Sequence, residues 1–257
     1  MSKFQGSIVA LVTPFTSGGA EIDEAALRRL VRHHLDSGTD GIVPVGTTGE
    51  SPTLNDDEHR RVVELVVNEA GGQVPVIAGA GSNDPVRAAA AHRHAADAGA
   101  DAALHVMGYY NRPAQEGICR HFEYVAAAAD LPVVVYNVPP RTVIDIEPET
   151  LARIARLSNV VGVKDATKDL TRPLREQALI DDESFAWLSG EDGSAVGYNA
   201  QGGNGVISVT ANVAPVQTRQ TQALCRDGDY AGALSLQRDL MPLHEALFAE
   251  PSSAGAK

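Results

Sequence analysis

Short runs of valine, isoleucine and alanine alternate along the chain with longer segments of helical period. The apolar runs are Ser7 to Pro14, Gly41 to Gly46, Val74 to Gly79, Ala102 to Met107, Leu131 to Val138, Val160 to Lys164, Phe185 to Gly190 and Gly205 to Val209. Continuous apolar runs of this length, bounded by glycine and proline, predict strands buried on both faces, as in a parallel sheet. Amphipathic segments fill the gaps: Glu24 to Asp36, Asn55 to Ala70, Pro85 to Ala98, Pro113 to Ala129, Glu147 to Leu157, Thr171 to Ile180, Ser194 to Ala200 and Pro215 to Arg226. Their ends carry the expected signals. Asp23 is placed to cap the first helix. Asp56, Asp57 and Glu58 sit in the first turn of the second, where the helix dipole favours negative charge, and Gly71-Gly72 closes it. Pro85 suits a first helical position. Eight strand–helix units without a linker predict a (β/α)8 TIM barrel. A doubly wound sheet would show fewer strands, and no G-x-G-x-x-G follows the first run. A ninth helical segment, Ala231 to Ala249, comes after the last unit, and Glu250 to Lys257 shows neither periodicity nor a cap.

Composition narrows the partners. The chain has 257 residues, 44% hydrophobic and 21% charged, enough for one large core. A formal net charge of −12 argues against nucleic acid or an anionic membrane as a partner. Cys119 and Cys225 lie far apart and read as free thiols. The first residues lack the apolar core of a signal peptide, and no run reaches membrane-spanning length, so a cytoplasmic protein is expected. His33-His34 are adjacent and His92 and His94 are two apart, so neither pair shares a helix face as a metal site requires; no metal is expected.

In a barrel of this type chemistry gathers at the C-terminal strand ends. The sixth run, Val160-Val161-Gly162-Val163-Lys164, ends in a lysine. With period-two alternation Val160, Gly162 and Lys164 share a face, and Gly162 is expected to leave room for the lysine stem. Burial favours the neutral amine, the form that attacks carbonyls. The plain alternative is a strand-end lysine that snorkels to water or pairs with Asp165. The second run leads into Thr47-Thr48-Gly49-Glu50, whose hydroxyls and N–H groups suit a small carboxylate, or make an ordinary turn. The fourth leads into Tyr109-Tyr110, a pair more often partial core or interface than catalytic. The fifth places Tyr136 inward, where a phenol beside a lysine can relay protons, with Arg141 beyond two prolines as a carboxylate clamp or a solvated loop residue. Gln201 to Gly205 reads as the turn opening the last strand rather than a phosphate loop.

Five segments in order carry a family resemblance: Gly46-Thr47-Thr48-Gly49-Glu50-Ser51, Tyr109-Tyr110-Asn111-Arg112-Pro113, Tyr136-Asn137-Val138-Pro139 with Arg141, Gly162 to Thr167, and Gly205 to Asn212. Together they resemble the dihydrodipicolinate (4-hydroxy-tetrahydrodipicolinate) synthase family, pyruvate-dependent class I aldolase-type lyases on a (β/α)8 barrel. The resemblance implies condensation of pyruvate with L-aspartate 4-semialdehyde on the way to diaminopimelate and lysine, without a cofactor. It implies that Lys164 forms an imine with pyruvate and that Tyr136 shuttles protons through Thr47 to Tyr110, the last supplied by the neighbouring subunit of a tight dimer. Thr48 would bind the pyruvate carboxylate, Arg141 the semialdehyde, and the backbone of Gly190 and Ile207 would line the pocket. Ser51, His59, Asn83 and Tyr109 match an allosteric lysine site. There the family often has a glutamate where this chain has Arg87, so weak or absent lysine inhibition is expected. Met107-Gly108 stands where Thr-Pro is commoner. The resemblance also divides the chain into a catalytic barrel, 1–228, and the start of a C-terminal helical domain, 229–257, which looks incomplete and puts a tetramer in doubt. Two alternatives remain: a sialic acid or keto-deoxy-sugar lyase of the same superfamily, which the Tyr109-Tyr110 pair and Arg141 disfavour, and a barrel that binds pyruvate without turnover.

Overall fold

A computed structural model describes residues 2–257. Eight parallel strands, β1 (Gly6–Ala10), β2 (Gly41–Val43), β3 (Ile77–Gly79), β4 (Ala102–Val106), β5 (Val133–Asn137), β6 (Val160–Asp165), β7 (Ala186–Ser189) and β8 (Gly205–Ser208), lie in the order β2-β1-β8-β7-β6-β5-β4-β3. The two ends of that order meet. Ile42 bridges Val76 in parallel, the Ile42 N–H donates to Pro75 O at 3.0 Å, and the Gly79 N–H donates to Pro44 O at 3.0 Å. The sheet is therefore a closed (β/α)8 barrel, and no sheet edge is left open.

Most strands are shorter than their apolar runs. β2 stops at Val43 because Pro44 has no N–H to give and Val45 turns into the left-handed region at φ 47°. Helices α1 (Glu24–Asp36), α2 (Asp56–Ala70), α3 (Pro85–Asp97) and α4 (Gln115–Ala126) surround the first half. Asp23 accepts from the Ala26 N–H at 2.8 Å, and Asn55 and Glu58 form a reciprocal capping box on α2. Pro113 stays in the loop before α4, outside the helix expected to begin there. The second half carries α5 (Pro139–Thr142), α6 (Pro148–Ile154), α7 (Arg172–Gln177), α8 (Ala195–Ala200) and α9 (Pro215–Arg226), several shorter than their sequence pattern. Past the barrel come α10 (Tyr230–Leu247) and α11 (Ser252–Ala256). The last of these overturns the reading of Glu250 to Lys257 as patternless; five residues are too few to display a period.

The core has two layers. Inside the barrel, Ile8, Ala10, Val43, Ile77, Leu104, Val134, Tyr136, Leu188 and Ile207 pack together. Outside, Val133, Val135, Val160, Val163 and Trp187 meet Ile118, Phe122, Leu151 and Ile154 of the helices. Val160 thus faces away from Lys164, contrary to the alternation read from sequence. The register between β5 and β6 shifts after Val133↔Val160 to Val134↔Gly162, and Val161 joins the inner layer. One extra residue in β6 inverts the facing of everything before it. Met107, at the divergent Met-Gly pair, is fully buried in the outer layer, and Gly108 packs close to Pro113.

α10 is fastened to the loops after β7 and β8. Gln237 Nε2 donates to Asp192 O at 2.8 Å, and His244 Nδ1 lies 2.7 Å from Thr210 Oγ1. Leu240 and Leu247 are buried on this face, while Leu234, Met241 and Phe248 are exposed. No helix among the described residues is long and apolar enough to cross a membrane.

Candidate active site

Lys164 and Tyr136 are register partners on β6 and β5, at the C-terminal end of the barrel. Both face inward and both are buried. The Lys164 ammonium lies 4.3 Å from the centroid of the Tyr136 ring, and it makes no ion pair among the described residues. The two plain alternatives for this lysine are therefore not what the fold does: it neither reaches water freely nor pairs with Asp165. Room for its stem comes from Gly190, where an added Cβ would sit 3.1 Å from Lys164 Cε and 2.9 Å from Ala166 Cβ. Gly162 does something else. Its empty side is filled by Ala186 of β7, 2.6 Å from where a Cβ would be, so it permits strand approach rather than making space for the lysine.

A cavity of about 310 Å³ opens at Tyr136, with Thr47, Tyr109, Tyr136, Val138 and Arg141 in its wall; Lys164, against the Tyr136 ring, does not itself line it. Thr47 comes from the turn after β2, and Thr48 beside it is buried. That turn is built on two left-handed residues, Val45 and Glu50, and is tied to the β1 end by the Thr13 hydroxyl donating to Gly49 O at 2.7 Å. Arg141 is exposed on α5 at the cavity mouth. Gly190 and Ile207 lie below, beside the lysine stem and in the inner core layer. Tyr110 is not brought in by its own chain; it is 89% exposed, at φ 67°.

A second group behind Lys164 escaped the sequence reading. Asn137 Nδ2 donates to Asp145 Oδ1 at 2.7 Å; Arg172 donates to Asp145 Oδ2 at 2.5 Å and to Glu176 Oε1 at 2.7 Å. This chain fixes the end of β5 to α7. Burial pushes the Glu176 carboxyl up to about 7, outweighing the bonds from Arg172. Burial also raises Asp165, whose carboxylate accepts from the Thr167 N–H at 2.7 Å. The four-residue spacing of Arg172 and Glu176 was the one visible signal; their burial was not.

A smaller cavity of about 160 Å³ adjoins the first. Ser51, Pro52, Gly81 and Tyr109 contribute to both. His59 and Arg87 line the smaller one, and Arg87 pairs with Asp56 at 2.8 Å. Burial lowers the His59 pKa, with the hydrogen bond to Gly79 opposing. Asn83 does not line it; its carbonyl accepts from Asn111 Nδ2 at 2.8 Å. Ser51, His59 and Tyr109 thus line one cavity.

Residues 3–257 match the family model described as the dihydrodipicolinate synthetase family. The chain belongs to that family. It is 55% identical over 254 residues to the 4-hydroxy-tetrahydrodipicolinate synthase of Parvibaculum lavamentivorans, covering 99% of this chain and 86% of that protein. The protein of the same name from Roseobacter denitrificans is 54% identical over an equal span. Among solved structures, the chloride-inhibited dihydrodipicolinate synthase of Acinetobacter baumannii, complexed with pyruvate, superposes with a TM-score of 0.92 at 41% identity, over 96% of this chain and 84% of that one. These synthase relatives, not sugar lyases, set the frame for the dihydrodipicolinate synthetase fold and activity of this chain.

Proposed function

We propose that this chain condenses pyruvate with L-aspartate 4-semialdehyde to 4-hydroxy-tetrahydrodipicolinate in the cytoplasm, through a Schiff base on Lys164. The observation that carries the reading is the Lys164 ammonium held against the ring of Tyr136, which lines a cavity at the catalytic end of the barrel. The Lys164 amine adds to the pyruvate ketone and water leaves, giving an imine. Its protonated nitrogen draws electrons from the methyl carbon, which loses a proton to become an enamine. The enamine carbon attacks the semialdehyde aldehyde, whose oxygen takes up a proton. The semialdehyde's own amine then displaces Lys164 from the imine carbon and closes the ring.

Tyr136 is the group placed to move these protons. Thr48 and the turn around it receive the pyruvate carboxylate, Arg141 the second substrate, and Gly190 and Ile207 shape the floor. Thr47 would link Tyr136 to Tyr110 of a second copy in a tight dimer, which accounts for a large aromatic residue left 89% exposed. Residues 1–228 act as the catalytic barrel, and 229–257 as a helical extension of it. The smaller cavity is the counterpart of the lysine-responsive site, altered by Arg87.

Incubation with pyruvate and borohydride, followed by peptide mass spectrometry, tests the core of this. A pyruvyl adduct on Lys164, with consumption of the semialdehyde in the absence of borohydride, is the expected result. An adduct on a different lysine, or none, removes the assignment.

A further inference from the structure

The last turn of the described chain reaches the catalytic end of the barrel. α11 folds back along α10, and the Lys257 side chain enters the gap between the loops that follow β1 and β2. Its ammonium lies 4.3 Å from the centroid of the Phe15 ring and pairs with Glu50 Oε1. Phe15 belongs to the first loop, pinned there by its bridge to Ile22. Glu50 belongs to the second, and its backbone closes the turn that carries Thr47: its N–H donates to Thr47 O at 3.1 Å, and its carbonyl accepts from Thr53 N–H at 3.0 Å. Both ionic side chains are about two-thirds covered, 33% and 31% exposed, so this contact is not a loose surface pair.

Two features of Glu50 need such a partner. It is a non-glycine residue at φ 60°, a conformation that persists where its surroundings over-determine it. It also places a carboxylate next to the turn assigned to bind a carboxylate, in a chain of net charge −12. Unpaired, that charge opposes an anionic substrate. We propose that Lys257 is a positioning residue for the Gly46–Glu50 turn, clamping Glu50 against Phe15 so that the turn keeps its shape and Glu50 does not repel the incoming keto acid. The proposal rests on the assignment of this turn to pyruvate.

Steady-state kinetics at varied pyruvate separate the roles. Lys257→Met keeps an unbranched side chain one atom shorter but leaves Glu50 both untethered and uncompensated. Its KM for pyruvate is expected to rise by about three- to tenfold, with kcat within about twofold. Lys257→Arg restores the wild-type KM. Glu50→Gln removes the repelling charge along with the tether, so the double variant Lys257→Met/Glu50→Gln is expected to have a lower KM than Lys257→Met alone. Added salt should narrow the gap between Lys257→Met and wild type by screening Glu50. An unchanged KM in Lys257→Met overturns the proposal, as does a fall in kcat at constant KM, or a double variant worse than the single. Should the pyruvate assignment itself be wrong, the wild-type chain already lacks a pyruvate-dependent borohydride adduct, which tells that failure apart from this one.

Discussion

Lys164 and Gly190 act as a unit. An alanine at 190 would press on both the lysine stem and Ala166. Overpacking of this kind costs about 1–3 kcal/mol, and here the yielding partner is the nucleophile, so the lysine is the group displaced. Gly190→Ala is therefore expected to keep the fold, as read by circular dichroism, while slowing turnover by about a hundredfold, the scale of a 1 Å misplacement. Lys164→Arg keeps charge and bulk but cannot form an imine; both borohydride adduct and turnover should vanish, and residual turnover near wild type would remove the nucleophile assignment. The lysine and the tyrosine were legible in sequence because a buried strand ending in a polar residue is a local pattern. The role of Gly190 was not legible from spacing, since it depends on which strand lies next to β6. Gly162 was misassigned for the same reason: Ala186, its actual neighbour, is 24 positions away.

Elements of the barrel carry their own pH response. His34, on the buried face of α1, has neither ring nitrogen hydrogen-bonded, and burial lowers its pKa to about 4 from 6.5. The folded state thus disfavours the proton that the unfolded chain accepts. The contribution is fully present above pH 6.5 and is lost as pH falls from 6.5 towards 4, about 3 kcal/mol in all. His105 moves in the same direction, buried against His92 at 3.1 Å. Urea midpoints measured from pH 7 to 4 should fall steeply for the wild type and less so for His34→Met. Equal slopes would show that His34 does not govern acid lability. The elements themselves were readable from capping residues and apolar runs, because both signals are local. Strand ends were not, since Val45 and Pro44 break β2 by backbone geometry that no hydrophobic pattern encodes. The extra residue in β6 was hidden too, as it shows only against the register of β5.

At the scale of the molecule, the Tyr110 side chain stands out from its own chain, 89% exposed. If a partner copy uses it, inactive Lys164→Arg and inactive Tyr110→Phe chains should complement when mixed and re-associated. Each mixed dimer would hold one site with both residues intact, and activity should return to about a quarter of wild type for random pairing, or half for complete heterodimer formation. No recovery would show that Tyr110 does not act in the partner's site. Arg87 lines the smaller cavity, and if that cavity is the lysine-responsive site proposed above, its cation opposes a ligand's ammonium. Sub-millimolar lysine should leave the wild type uninhibited, and Arg87→Glu should introduce inhibition; strong inhibition of the unaltered chain would contradict this.

Ser51, Pro52, Gly81 and Tyr109 each face two chambers, so the partition between them is one residue thick. A partition so thin cannot be informed from one side only. Any small molecule that occupies the lesser chamber and alters pyruvate affinity by some factor must have its own affinity altered by pyruvate through the same factor, because both routes around the cycle end in the same doubly occupied state. Titrating such a molecule with and without saturating pyruvate would measure what Tyr109 and its three neighbours transmit.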